Sequence, residues 1–323
     1  MTDMAISAAD EAARLWRESA PGPVRPGSDR HKSMFCRMLL DTFNPYKPAV
    51  IDWPKLDEDS RQRLIGLPIW DIAVQTEGKA KMRVLSYADE TADPLLREAI
   101  TLNGFEEGRH KEVLSNLVEA YGIRLAPEPE YRRPRHPEWA FMVTGFSECI
   151  DSFFAFGLFA LARRSRFFPP ELVDAFEPIM QEEARHILFI VNWAAYLRAR
   201  APLPMKPVHE LRRARAVAGQ LLEHLRHVLR VGGRDAQSQE GFTVNARSAF
   251  GDLSARAFLE LCMAENERRL APYDPRLLRP TLVPGSVRFA LRLLPKSAKR
   301  PPEDPARTLE TAQPPGYSRR GSA

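Results

Sequence analysis

The sequence predicts an all-α protein organised around a four-helix bundle, and three observations carry that expectation. Residues 57–200 show sustained helical periodicity, alternating strand patterns are nearly absent, and chain breaks cut the region into four segments of bundle length. With 323 residues, 44% hydrophobic and 28% charged, the chain has the balance of a globular protein with a sizeable core.

Taken in order, residues 1–56 read as an N-terminal extension. It holds a short helix over Ala8 to Ser19, a Pro/Gly loop from Ala20 to Gly27, and a brief apolar stretch. Pro48 and Pro54 then keep the backbone extended or irregular. Breaks at Thr91 to Asp93, Ala126 to Pro137 and Ser165 to Pro170 leave helices near 60–90, 94–121, 138–164 and 171–200. Pro169 and Pro170 suit the first turn of the last, where a missing N–H costs little. Residues 201–294 follow as basic helices packed on the bundle: 208–231, ended by Gly232-Gly233, then 245–270, then a short apolar and basic segment over Ser286 to Lys299. The Pro-, Arg- and Ser-rich residues 295–323 read as a disordered tail.

Several function classes are disfavoured early. The longest apolar runs, Ser152 to Ala162 and Ile187 to Leu197, fall well short of the ~20 residues that cross a bilayer. No basic-then-apolar leader opens the chain. Three dispersed cysteines (Cys36, Cys149, Cys262) argue against a disulfide framework or thiolate zinc site, and a cytoplasmic location is expected. Charge is uneven: residues 201–323 carry 21 Lys and Arg against 12 Asp and Glu, leaving 26 against 30 in residues 1–200. The basic part lacks interleaved aromatics or a readout motif, so no nucleic acid is expected. It suits a solvated face, with contact to an anionic membrane surface or an acidic carrier as the functional alternatives.

A repeated pentad is the most informative feature. Glu106-Glu107-Gly108-Arg109-His110 lies in the second predicted helix and Glu182-Glu183-Ala184-Arg185-His186 in the fourth. Each sets a carboxylate and an imidazole at i and i+3 on one helix face. Leu96, Ile100, Asn103, Leu114 and Leu117 share that face in the second helix, as Phe176, Ile179, Ile187 and Ile190 do in the fourth. The Glu–His pairs therefore sit within apolar seams, where ionised groups are costly unless paired or bound to metal. The other two helices supply one carboxylate each, Glu77 and Glu148. The chain runs 15 residues from Glu77 to Ala92 and 14 from Asp93 to Glu107, so an antiparallel hairpin returns Glu107 to the level of Glu77. Glu148 and Glu183 match nearly as well. Four glutamates and two histidines thus converge at one depth, the ligand set of a di-iron or di-manganese carboxylate site. Buried salt bridges without metal are the plainer reading; they would hold four carboxylates together with no compensating cation.

On these residues the chain resembles the ferritin-like di-iron carboxylate superfamily, over about residues 60–200. The paired acid-Glu-x-Arg-His pentads are similar to those of acyl-carrier-protein desaturases and bacterial multicomponent monooxygenases. The resemblance implies that Glu107 and Glu183 bridge two metals, with Glu77 and His110 completing one ligand set and Glu148 and His186 the other. It also implies that Glu106 and Glu182 hydrogen-bond the histidine of the opposite helix, with Arg109 and Arg185 neutralising them. Ile179 stands where three-histidine arylamine oxygenases keep an extra ligand, and storage ferritins usually lack the second pentad, so both are disfavoured. Asp151 and Ser152, one turn after Glu148, are candidates for proton delivery.

The expected activity is an O2-dependent oxygenase or hydroxylase acting on a small or apolar organic substrate. Two iron ions are the expected cofactor; manganese or a mixed Mn/Fe pair suits the same ligands. The chain shows no flavin or NAD fingerprint and no Fe–S cysteine cluster, so a separate reductase or ferredoxin is expected. An acyl desaturase and a non-catalytic, ferroxidase-like iron-handling protein are the alternatives, and a homodimer is compatible with either. Phe153, Phe154, Phe156 and Phe159 are candidates to shape a substrate pocket, though aromatics at helical spacing are more often core. Core is also the simpler reading of Cys149, Trp70 and Trp193. His224 and His227, with Glu223, are read as surface groups rather than a second metal site.

Overall fold

In a computed structural model the protein is described over residues 15–165, 167–231 and 254–294. Every regular element among them is helical; the one extended pairing is an isolated parallel bridge between Trp16 and Tyr273. The predicted helices at 8–14, the start of the 245–270 helix and the tail 295–323 lie outside the described residues, as do the side chains of Glu223, His224 and His227.

Several boundaries differ from expectation, each for a local reason. Residues 15–19 are not helical: Trp16 N–H donates to Pro272 O (3.3 Å) and Arg276 Nη2 to Glu18 O (3.0 Å), drawing that backbone to another segment. The apolar stretch after Gly27 is a helix, α1 (Asp29–Asp41), because Ser28 Oγ caps it by accepting from His31 N–H. The first predicted bundle helix is two, α2 (Glu58–Ile65) and α3 (Trp70–Glu90), separated around Pro68. α4 (Pro94–Ala120) starts on the Asp93 cap, with Pro94 in its first turn. α5 spans Pro137–Ser165. The fourth predicted helix also divides, into α6 (Pro170–Asp174) and α7 (Glu177–Arg200), where Pro178 removes an N–H and restarts the helix. α8 (Lys206–Val231), α9 (Ala255–Leu270, capped by Ser254) and α10 (Leu282–Leu293) complete the order.

The bundle is α3, α4, α5 and α7. α3 and α4 form the most extensively packed hairpin, and α5 lies against both α3 and α7. α1 covers α4 and α7, burying Met34, Phe35, Cys36, Met38 and Leu39. α8 and α9 cover α5 from its other side chains, and α10 rests on α9 and α5. α5 is also, among the described residues, the one helix long and apolar enough to cross a membrane by length and composition, which amends the shorter runs read from the sequence. It is a core helix here: 61% of its apolar window is buried, and it carries Glu148 to the centre of the bundle. Gly145 lets it close on α7, since a Cβ there would lie 2.3 Å from Ile190 Cγ1. That approach, one turn before Glu148, brings the α5 carboxylate to the pentad of α7.

Candidate metal centre

The six predicted donors converge. Glu77, Glu107, His110 and Glu183 place one ligand atom each within 4.8 Å of one another, and Glu107, Glu148 and His186 form a second such group. Each bundle helix contributes: Glu77 from α3, Glu107 and His110 from α4, Glu148 from α5, Glu183 and His186 from α7. Glu107 belongs to both groups, whereas Glu183 belongs to the first only. Of the two glutamates expected to bridge, Glu107 is thus shared by both donor groups and Glu183 is not.

Each histidine is oriented from behind, as the resemblance implied. His110 Nε2 lies 2.8 Å from Glu182 Oε2, and His186 Nε2 lies 2.8 Å from Glu106 Oε2. Donation of Nε2–H to those carboxylates leaves the Nδ1 lone pair toward the site. The arginines also cross over: Arg109 bonds Glu182 and Arg185 bonds Glu106 (2.6 Å). Burial opposes ionisation of Glu106, but the Arg185 charge and the His186 hydrogen bond outweigh it and hold its carboxyl well below the usual range.

The inward atoms lack this satisfaction. Among the described residues, Glu107 Oε1, His110 Nδ1, Glu148 Oε1 and His186 Nδ1 are buried with no hydrogen-bond partner. His186 Nδ1 sits 2.9 Å from Glu107 Oε1, and His110 Nδ1 sits 3.3 Å from Glu183 Oε1. Buried acceptors facing one another are costly without a cation or protons between them. Protons fill that role in the metal-free protein. Burial pushes the Glu77 carboxyl up to about 8, and burial with the charges of Glu107 and Glu183 raises Glu148 well above its ordinary value. Burial works against protonated imidazole, yet the surrounding carboxylates raise both His110 and His186 well above the ordinary range. Oxygen and imidazole donors of this kind suit iron or manganese, so the residues present fit a two-metal centre.

Ser152 and Asp151 part company. Ser152 Oγ donates to Glu183 Oε2 (2.7 Å), touching a donor directly. Asp151 accepts from Ser147 Oγ (3.0 Å) and lies outside both donor groups. Tyr46 was not foreseen: its hydroxyl lies 3.5 Å from Glu182 Oε2 and its ring 4.0 Å from Arg109 Cζ. It stands in the proline-flanked segment before α2, where no periodicity marks it.

A cavity of about 810 Å³ opens beside the cluster, reached by Glu77, Glu107, His110, Glu148 and Glu183. Its lining includes the apolar side chains of Leu67, Trp70, Phe168, Leu172 and Phe176 and the polar ones of Arg83, Ser147, Asp151 and Gln220. Of the four phenylalanines proposed to shape a pocket, only Phe159 lines it; Phe153 and Phe156 are buried in core, and Phe154 stacks on Phe258. Trp193 packs against Tyr87 and Phe141, and Cys149 is buried.

No family model, no curated protein and no solved structure matches this chain. The fold and the cluster define its class at a coarser level: an all-α bundle with a buried carboxylate–histidine cluster that could bind metal, compatible with a ferritin-like di-iron fold.

Proposed function

We propose that the protein is an O2-activating, non-haem di-iron oxygenase or hydroxylase acting on an apolar organic substrate, with electrons from a separate reductase or ferredoxin. The observation that carries the reading is the juxtaposition of a converging carboxylate–histidine cluster, four of whose inward atoms lack a hydrogen-bond partner, with an organic-molecule-sized cavity. Glu77, Glu107, His110, Glu148, Glu183 and His186 would hold the ions. When bound, a reduced iron pair supplies the two-electron chemistry with dioxygen that oxidation of a C–H bond requires.

The chain's own groups do the rest. Glu182 and Glu106 hold the imidazoles in one tautomer, and Ser152 fixes the orientation of Glu183. The apolar wall takes the substrate and excludes water, while Glu77 and Glu148 face it from α3 and α5. Ser152 and Asp151, both on the cavity wall, would relay protons between the cavity and the donors, Ser152 against Glu183 and Asp151 one step removed. An iron-handling role, the alternative class, gives no use to a cavity of this size and lining.

Anaerobic loading with Fe(II), followed by metal analysis, optical spectroscopy on O2 exposure and a screen of apolar compounds with isotopically labelled O2, tests the reading. About two irons per chain, new charge-transfer absorption and label in an organic product are expected. Full loading of both Glu107→Ala and Glu183→Ala would place the metal elsewhere. Consumption of O2 with ferric iron as the sole product would establish the iron-handling alternative.

A further inference from the structure

α10 presents two apolar faces, and the bundle uses only one. Val283, Pro284 and Val287 are buried, and the two valines join Phe258, Cys262, Ile150 and Phe153 in a core beneath the helix. At 100° per residue, Leu282, Phe289 and Leu293 fall on one line on the opposite side. They are 43%, 62% and 72% exposed. Exposed Arg288 and Arg292 flank that crest on one side and exposed Ser286 on the other. The sequence of this segment is one-sided in charge as well. Residues 280–300 contain five Lys and Arg and no Asp or Glu, with Lys296, Lys299 and Arg300 following the helix at once in sequence.

We propose that α10 docks the protein peripherally on an anionic lipid surface. A crest of leucine and phenylalanine bordered by arginines is the composition of a helix that lies in the plane of a bilayer, apolar side chains inserted and cations at the headgroups. Here the inner face is already seated on α9 and α5, so insertion is shallow. Binding then depends on the apolar crest and on the cations together. A solvated helix has no need of the crest, and an acid-free segment of 21 residues favours a surface of uniform negative charge.

The test is co-sedimentation of the full chain with phosphatidylcholine vesicles and with vesicles of phosphatidylcholine and phosphatidylglycerol, at low and high salt. Binding to the anionic vesicles alone, weakened by salt, is expected. The double variant Phe289→Asp/Leu293→Asp should lower apparent affinity at least about tenfold, with unchanged helical circular dichroism and metal loading. Arg288→Gln/Arg292→Gln, which keeps the crest, should weaken binding to anionic vesicles by a smaller factor and serves if the aspartates disturb folding. Failure to bind anionic vesicles at low salt overturns the proposal. So does wild-type binding by the crest variant, which would assign the lipid contact to the tail. Sedimentation equilibrium showing a dimer that the crest variant splits would also overturn it, by assigning the crest to a second copy. None of these outcomes bears on the metal reading, which is tested by loading.

Discussion

The half of the centre built on His110 and the half built on His186 begin from the same pentad and end differently. Behind the histidines they match: each imidazole meets the leading acid of the opposite pentad at 2.8 Å, and each acid meets the arginine of its partner helix. In front they do not. The His110 side gathers Glu77, Glu107 and Glu183, whereas the His186 side gathers Glu107 and Glu148. The helices facing the pentads account for part of this. Four residues after Glu148 stands Ser152, which binds Glu183; four residues after Glu77 stands Lys81, which is exposed and runs over Gly108. The surroundings differ too. His110 lines the cavity and His186 does not. Arg109 stacks on Phe43, Tyr46 and Phe105, two of them exposed, while Arg185 is buried against Leu39 O and Thr42 Oγ1 of the α1 region. A duplicated motif thus makes equal supports behind the histidines, while the donor groups in front are unequal because Glu183, held by Ser152, joins only the His110 side.

The largest expected effect sharpens that inequality. Glu148→Ala leaves the His186 side with two donors and the His110 side with four, so metal analysis should find close to one ion per chain. Glu77→Ala leaves three donors on each side, and about two ions should remain, more weakly held. Equal losses from the two variants would break the comparison and restore a symmetric centre.

Proton release gives the next effect, and both halves contribute. In the metal-free protein burial raises the Glu77 carboxyl to about 8 and the Glu148 carboxyl above its ordinary value. The surrounding carboxylates raise His110 and His186, so each side carries groups that favour the protonated form. Metal ligands must shed their protons. Divalent cations replacing these protons would relieve the same buried charge, so calorimetry in buffers of differing ionisation enthalpy should report net release of several protons as the ions bind. The sign for stability follows. These groups keep protons to higher pH folded than unfolded, so between about pH 5 and pH 8 the folded state binds more protons. Metal-free stability should therefore fall as pH rises through that window. Glu183 adds no slope there: burial opposes its ionisation, but the His110 hydrogen bond and charge hold it low, and it is ionised in both states. Thermal melts should show the metal-free protein losing roughly 5 °C from pH 6 to pH 8, and the loaded protein losing little. Release of fewer than two protons would contradict the protonation pattern.

Ser152→Ala probes the unequal front more gently. Removing the hydroxyl frees Glu183 to turn and should weaken the His110-side ion by about tenfold in chelator competition. Lys81→Ala, at the matching position of α3, should leave affinity unchanged. Equal effects would mean that Ser152 does not distinguish the halves.

The six donors were legible because helical spacing is rigid: i, i+3 pairs on apolar seams and matched distances around a hairpin fix depth without knowledge of packing. Residues whose role depends on where helices meet were less so. Ser152 could be placed a turn after Glu148, but its bond to Glu183 depends on how α5 closes on α7 at Gly145. Tyr46 reaches Glu182 from irregular backbone, where no period exists to read. The breaks at Pro68 and Pro178, and the Ser28 cap of α1, were local signals that a long apolar rhythm masked. The cavity, being what the side chains leave unfilled, had no sequence signature.

The smallest effect concerns the one residue by which the pentads differ, Gly108 against Ala184. Glycine inside a helix costs roughly 0.5–1 kcal/mol relative to alanine, so its presence calls for a local reason. A Cβ at Gly108 would lie 3.0 Å from Lys81 Cδ and 3.1 Å from its Cε and Nζ. These atoms are the far end of a flexible, exposed side chain, which can swing into solvent. Gly108→Ala should therefore stabilise the protein by about 0.5 kcal/mol, raising the melting midpoint by roughly 1–2 °C with metal stoichiometry unchanged. A fall in stability would show that Lys81 is held over Gly108. The inequality of the two halves would then extend from their donors into the packing of α3 on α4.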